Sequence, residues 1–230
     1  MKDSILQKGI PVAVLLSMLC GCGGGGGSDT PATPPSSPSP PTVPPPPPPP
    51  PASTVPPLSS TVVDITDNHT IGTFQWNDRD TDTGGQGSPV AGLDCLPAPI
   101  EDYHVHAHVS VFLNGEAKSI PADIGIVRKT SGNCFYAIHT HDKSGKIHVE
   151  TAAPGMFTLG MLFQIWGQPL TNTNIAGITG LPVQIFVTDN GTVTEVKDNW
   201  TDIELKSKRE ITISVGTLVT EIPNITWTGN

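Results

Sequence analysis

The chain of 230 residues carries 21 acidic and 12 basic side chains, which gives a formal net charge of −9. Proteins that bind nucleic acid usually present a basic surface, so this balance argues against a nucleic-acid partner. The length allows one domain of ordinary size together with extra terminal segments.

The first 21 residues have the features of an export signal. Lys2 and Lys8 make the start basic, and the apolar run 10–19 is shorter than the roughly 20 residues that cross a membrane. The residues that follow, Leu19 to Gly21, resemble the lipobox of bacterial lipoproteins, which precedes a lipidated cysteine. We therefore expect 1–21 to be a signal peptide and Cys22 to carry the lipid.

A lipid on Cys22 would make the membrane a partner of the protein. An ordinary secretory signal and an uncleaved anchor are the alternatives. Because Gly23 is not acidic, the resemblance implies the outer membrane in a Gram-negative organism. The domain would then face the periplasm or the exterior of the cell envelope.

Residues 22–60 are rich in glycine and proline. Proline lacks an N–H donor and fixes φ, so a run such as 44–51 joins neither a helix nor a sheet and extends as polyproline II. We expect 22–60 to be a disordered linker, a stalk that separates the lipid anchor from a single domain at 61–230. The core of that domain is expected at about 95–230.

The domain is predicted to be mainly β. Segment 61–101 is rich in loop-forming residues, and the strand patterns that follow are bounded by turn signals such as Asn114-Gly115 and Asn190-Gly191. One short helix is predicted at 158–166, before Gly167. The fold class is therefore an antiparallel, sandwich-like β domain, with α+β as the variant, and the predicted strands are 103–113, 134–141, 146–151, 182–188, 192–196 and 210–215.

Two cysteines remain in the domain, Cys95 and Cys134. In the oxidising environment outside the cytoplasm, two leftover cysteines most simply form one disulfide. A paired metal–thiolate site is the alternative.

Six of the seven histidines lie between positions 104 and 148. In His104, His106 and His108 the spacing is two, so on a strand the three imidazoles share one face and apolar residues occupy the other. Neighbours on that face lie ~6.6 Å apart, close enough for two imidazoles to bind one ion.

A second group follows at His139 and His141. If turn 142–145 closes a hairpin, His139 lies opposite His148, and Glu150 lies on the same face two residues further on. Asp142 could bind the ion or orient an imidazole through its second nitrogen. The candidate metal ligands are thus His104, His106, His108, His139, His141, His148, Glu150 and Asp142.

Imidazole ligands suit copper and zinc about equally, so either ion is the expected cofactor. Met156 and Met161 could add sulfur for copper(I), although core packing explains them better. Structural hydrogen bonding or a protonation switch near pH 6 would also account for a histidine cluster.

The stretch 103–108, the turn at Asn114-Gly115, segment 120–126 and the residues from His139 to Glu150 resemble a family of exported bacterial and archaeal domains. The resemblance covers about residues 95–175 and implies that the histidines and both cysteines belong to the domain's signature. That family has no established activity, so no function follows from the resemblance.

Three functions are therefore compatible with the sequence. The first is a cell-envelope lipoprotein that captures, buffers or delivers copper or zinc, with an unidentified envelope partner. The second is a metal-dependent enzyme, redox or hydrolytic, with Glu150 or Asp142 near the metal-bound water. The third is an adhesion or scaffold module without a metal.

Overall fold

The computed structural model describes residues 55–227. The predicted signal peptide, Cys22 and the linker up to residue 54 lie outside this range. Within it the chain forms fourteen strands, one α-helix and a 3₁₀ turn at Trp200–Asp202. The elements are β1 Leu58–Ile65, β2 Tyr103–Leu113, β3 Glu116–Lys118, β4 Ile126–Val127, β5 Cys134–Phe135, β6 Ile138–His139, β7 Lys146–Thr151, α1 Leu159–Trp166, β8 Leu170–Thr171, β9 Asn174–Ile175, β10 Ile178–Thr179, β11 Val183–Asp189, β12 Thr192–Val196, β13 Glu210–Val215 and β14 Ile222–Trp227.

The central feature is a seven-stranded sheet with the strand order β12-β11-β13-β2-β7-β6, in which β3 also pairs with β2. Every pairing is antiparallel except that of β13 with β2, which is parallel. The sheet is therefore mixed, and the prediction of a mainly β domain with one short helix is confirmed.

One face of this sheet is apolar and packs against α1. Residues at alternate positions of β2 and β7 point to this side, among them Val109, Ile147 and Val149, and all three are buried. Leu162 and Trp166 of α1 belong to the same core. The period of two along the strands leaves the polar residues of β2 and β7 on the opposite face.

The opposite face is covered in part by a smaller two-stranded sheet. Strands β1 and β14 pair in parallel, with Leu58 opposite Ile222. Ile222 forms a second apolar cluster with Phe186 of β11, and Phe112 of β2 packs against that cluster. The described domain is thus layered, with α1 on one side of the main sheet and β1–β14 on the other.

The local signals in the sequence account for the ends of α1 and for two hairpins. The Thr158 side chain accepts a hydrogen bond from the Met161 amide, and Gly167 adopts the left-handed conformation at φ 71° that commonly ends a helix. In both Asn-Gly turns the two residues have positive φ, as a type I′ turn requires. The helix and both turns are confirmed.

Other parts of the fold differ from the sequence-based prediction. The predicted strand 134–141 is two short strands, β5 and β6, with Tyr136 and Ala137 between them. Strand β1 begins at Leu58, inside the range assigned to the linker, and its partner β14 carries no strong strand signal. Among residues 55–227 no helix is long and apolar enough to cross a bilayer.

Cys95 and Cys134 form the predicted disulfide. It joins the loop-rich segment before β2 to β5, close to the point where Leu96 and Phe135 exchange backbone hydrogen bonds. The disulfide therefore holds the long segment before β2 against β5, the strand that precedes β6.

Replacing both cysteines, Cys95→Ala/Cys134→Ala, is expected to lower the free energy of unfolding by roughly 3–4 kcal/mol, because a closed loop of this length restricts the unfolded chain. Urea denaturation of the oxidised and double-variant proteins measures the difference. A loss below about 1 kcal/mol would show that the disulfide adds little beyond the contacts already present.

Candidate metal centre

Three histidines occupy paired positions on three neighbouring strands of the main sheet. His106 of β2 is paired with His148 of β7, and His148 is in turn paired with His139 of β6. Side chains of directly opposed residues project from the same face of a sheet. The predicted pairing of His139 with His148 is confirmed, and β2 adds a third imidazole to the row.

The neighbouring rows extend this arrangement. His104 is paired with Glu150 on one side of the histidine row, and His108 is paired with Lys146 on the other. These residues share the face opposite the apolar core, since they alternate with core residues along β2 and β7. The strand register therefore brings residues that are about 40 positions apart in the sequence into one patch.

His148 lies at the centre of the patch. Its Nδ1 is 3.1 Å from His106 Nε2, 3.3 Å from His104 Nε2 and 3.2 Å from Glu150 Oε1. A ring nitrogen carries at most one proton, so His148 Nδ1 cannot donate to all three neighbours at once. Hydrogen bonds from His148 Nδ1 therefore cannot account for all three contacts.

The carboxylate of Glu150 contacts three imidazoles. Its Oε1 is 3.1 Å from His104 Nε2 and 3.5 Å from His139 Nε2, besides its contact with His148. Burial by itself would raise the pKa of Glu150, but the adjacent imidazoles of His139 and His148 lower it by more. Glu150 is therefore ionised at neutral pH.

His139 has a defined proton position. Its ring is fully buried, and Nδ1 lies 2.9 Å from the backbone carbonyl oxygen of Tyr136. A carbonyl only accepts, so Nδ1 carries the proton and donates it. Nε2 has no hydrogen-bond partner among the described residues and lies 3.5 Å from Glu150 Oε1.

This arrangement is the one that metal-binding histidines usually show, with one ring nitrogen donating to a carbonyl and the other free for the ion. A buried lone pair without a donor is also costly, since it has lost its hydrogen bond to water. Nε2 of His139 thus faces a carboxylate oxygen across a gap that a cation would fill favourably.

The donor atoms form two overlapping groups. The inner group consists of His139, His141, His148 and Glu150, and in it the donor atoms all lie within 4.8 Å of one another. The outer group consists of His104, His106 and His148, and its donor atoms also lie within 4.8 Å of one another. His148 belongs to both groups.

His141 gives the inner group an exposed member. Its ring centroid is 4.8 Å from that of His139 and 4.4 Å from that of His148. His139, His148 and Glu150 are all buried, whereas His141 reaches the surface. The inner group is therefore covered by protein on most sides and accessible past one imidazole.

The measured separations match those around a single ion. A tetrahedral ion with bonds of about 2.0–2.1 Å to nitrogen holds its ligands ~3.3 Å apart. The contacts that involve His148 Nδ1 and Glu150 Oε1 range from 3.1 to 3.5 Å. The residues present therefore fit a small transition-metal ion.

Three imidazoles of the cluster have lowered pKa values and are therefore neutral at neutral pH, which is the form that binds metals. Burial, with a smaller contribution from His148, lowers the pKa of His106 to about 3. Burial, together with the neighbouring His139, lowers the pKa of His141 to about 4. Burial also lowers the pKa of His148. Protons therefore compete weakly for these nitrogens at neutral pH.

Two of the predicted ligands lie outside both groups. His108 is buried and its Nε2 donates to the Ser144 carbonyl oxygen at 2.9 Å, with the ring against Trp227. Asp142 accepts from the backbone amides of Asn68 and Ser144. Each side chain is occupied by a backbone group, so His108 and Asp142 act as structural residues in this conformation.

Sequence reasoning did not identify the Tyr136 carbonyl, which fixes the tautomer of His139. A backbone carbonyl has no sequence signature, and its position follows from the two-residue break between β5 and β6. The Tyr136 side chain gives no signal either, because its hydroxyl donates to the Ser88 carbonyl on the far side of the domain's core.

Comparison with known protein families, with curated proteins and with solved structures gives no match to this chain. The geometry and chemistry of the cluster therefore carry the functional argument.

The histidine rings themselves allow a direct test in the metal-free protein. In ¹⁵N NMR spectra we expect His139 to show a protonated Nδ1 and a bare Nε2. We expect His106 and His141 to stay neutral until the pH approaches their lowered pKa values of about 3 and about 4. Exposed His69 serves as the reference within the same sample. Titration of His106 and His141 together with His69 would contradict the buried, neutral cluster.

Proposed function

We propose that the protein binds one divalent transition-metal ion, zinc or copper, and thereby captures, buffers or delivers it at the cell envelope. The ligands come from the inner and outer groups, His104, His106, His139, His141, His148 and Glu150. The observation that carries the proposal is the buried Nε2 of His139, which has no hydrogen-bond partner among the described residues and lies 3.5 Å from Glu150 Oε1 in a group of four possible ligands.

The donor set supports zinc more than copper. Neutral imidazoles and a carboxylate suit both ions. The contacts of 3.1–3.5 Å lie around the ~3.3 Å expected of a tetrahedral ion, the geometry that zinc prefers. The sulfur atoms do not favour copper(I) either, since Met156 is 72% exposed and Met161 packs against the apolar core.

Two features support binding over catalysis. A catalytic zinc site keeps an open position and needs a base beside the metal-bound water. The inner group offers four donors, enough to complete a tetrahedral site, and Glu150 is itself one of them. The other carboxylate considered, Asp142, accepts two backbone amides and is not free to act as a base.

Metal stoichiometry tests this proposal. The mature chain, residues 22–230, is loaded with zinc or copper, desalted and measured by elemental analysis. We expect one tightly held ion per chain. His148→Ala should lose it, because both groups need this residue, and His69→Ala is the matched control that removes an exposed histidine outside the groups. No retained metal in the unsubstituted chain would overturn the proposal.

The envelope location is a separate part of the proposal and rests on the lipobox-like sequence before Cys22. It predicts that labelled palmitate is incorporated when the full chain is expressed in a bacterium. Cys22→Ser should abolish the labelling, while Cys20→Ser, two residues away, should retain it. Labelling that survives Cys22→Ser would place the lipid elsewhere, and no labelling of the unsubstituted chain would exclude the lipoprotein assignment.

A further inference from the structure

We propose that the cluster gives one ion two successive positions, an outer position through which it loads and unloads and an inner position in which it is held. The inference rests on the proposed function, because it requires that the cluster binds a metal. The number of ligands does not determine the route by which the ion enters and leaves the cluster.

The two positions overlap at His148. Its Nδ1 is within 3.3 Å of both outer histidines, His104 and His106, and within 3.2 Å of the inner carboxylate of Glu150. A nitrogen lone pair binds one ion at a time. Two divalent ions that competed for this nitrogen would also repel each other at close range. The cluster therefore holds one ion, in either position.

Charge and the number of donors favour the inner position. The outer group offers three imidazoles, whereas the inner group offers three imidazoles and a carboxylate. A buried carboxylate attracts a cation more strongly than an exposed one, because the low dielectric strengthens the interaction. Glu150 is only 5% exposed in its side chain, so the ion gains free energy as it moves inward.

Exposure favours loading at the outer position. The outer group has an exposed histidine, His104, beside the half-buried His106, whereas in the inner group His141 is exposed and the other three residues are buried. An ion arriving from solvent can exchange its waters for His104 and His106 without any movement of the protein core.

The passage between the positions keeps the ion bound throughout. Glu150 Oε1 is 3.1 Å from His104 Nε2 on the outer side and 3.5 Å from His139 Nε2 on the inner side. The ion can therefore retain His148 and gain Glu150 while it exchanges His104 and His106 for His139 and His141. Because bound ligands are replaced one at a time, the ion is never released as a free cation inside the protein.

The experiment follows zinc exchange kinetics in the mature chain. Loading is measured by stopped flow with a fluorescent zinc indicator, and release is measured by transfer to an excess of chelator. The outer variant is His104→Ala/His106→Ala. The inner variants are His139→Gln and, in case the buried substitution prevents folding, Glu150→Gln. His69→Ala is the control.

Loss of a loading position raises the barrier in both directions, so the outer variant should load and release zinc about tenfold or more slowly. Loss of a holding ligand weakens the bound state, so an inner variant should release zinc at least about tenfold faster. The opposite direction of the change in release rate separates the two roles, whatever the size of each effect.

Three results would overturn the inference while leaving the metal-binding function intact. Faster release from the outer variant would make His104 and His106 holding ligands of one composite site. Unchanged rates would mean that the ion enters past His141. Two zinc ions per chain would show two separate sites. Failure of the unsubstituted chain to bind zinc or copper would instead overturn the proposed function itself.

Discussion

The register of β7 between β2 and β6 is the constraint on which the site depends. It sets His148 beside His106 on one strand and beside His139 on the other. A slip of one residue would turn His148 to the opposite face and expose Ile147 and Val149. Each such side chain contributes roughly 1.5–3 kcal/mol when fully buried, so the slip costs several kcal/mol. The apolar core thus determines the positions of the candidate metal ligands on the other face.

The period of two in the sequence made much of this predictable. The alternation in β2 identified both the apolar face and the face that carries His104 and His106, and a turn before Lys146 was enough to pair His139 with His148. Cys95 and Cys134, which are 39 positions apart, were paired by elimination as the two cysteines left in the domain. The strand predictions succeeded because each depends on a local pattern or on a short loop, for which few alternative geometries exist.

The remaining features depend on contacts between distant segments. Strand β2 lies beside β13 in parallel, and this pairing brings together residues about 100 positions apart. It places β2 inside the sheet, between β13 and β7, which no local pattern indicates. His108 continues the same spacing as His104 and His106, but Ser144 happens to offer it a carbonyl oxygen. Identical spacing therefore led to different roles, because the acceptor comes from a turn elsewhere in the chain.

The metal-free cluster also has an energetic consequence for the fold. Packing on the far side of the sheet holds the imidazoles and the Glu150 carboxylate together, although the buried Nε2 of His139 has no hydrogen-bond partner among the described residues. The fold therefore carries an unfavourable interaction that a bound cation would relieve. Because the donors are already in place, little ordering cost opposes binding, and the ion would stabilise the folded over the unfolded chain. A substitution that strengthens the packing that fixes the register would therefore raise both the affinity for the ion and the stability of the domain.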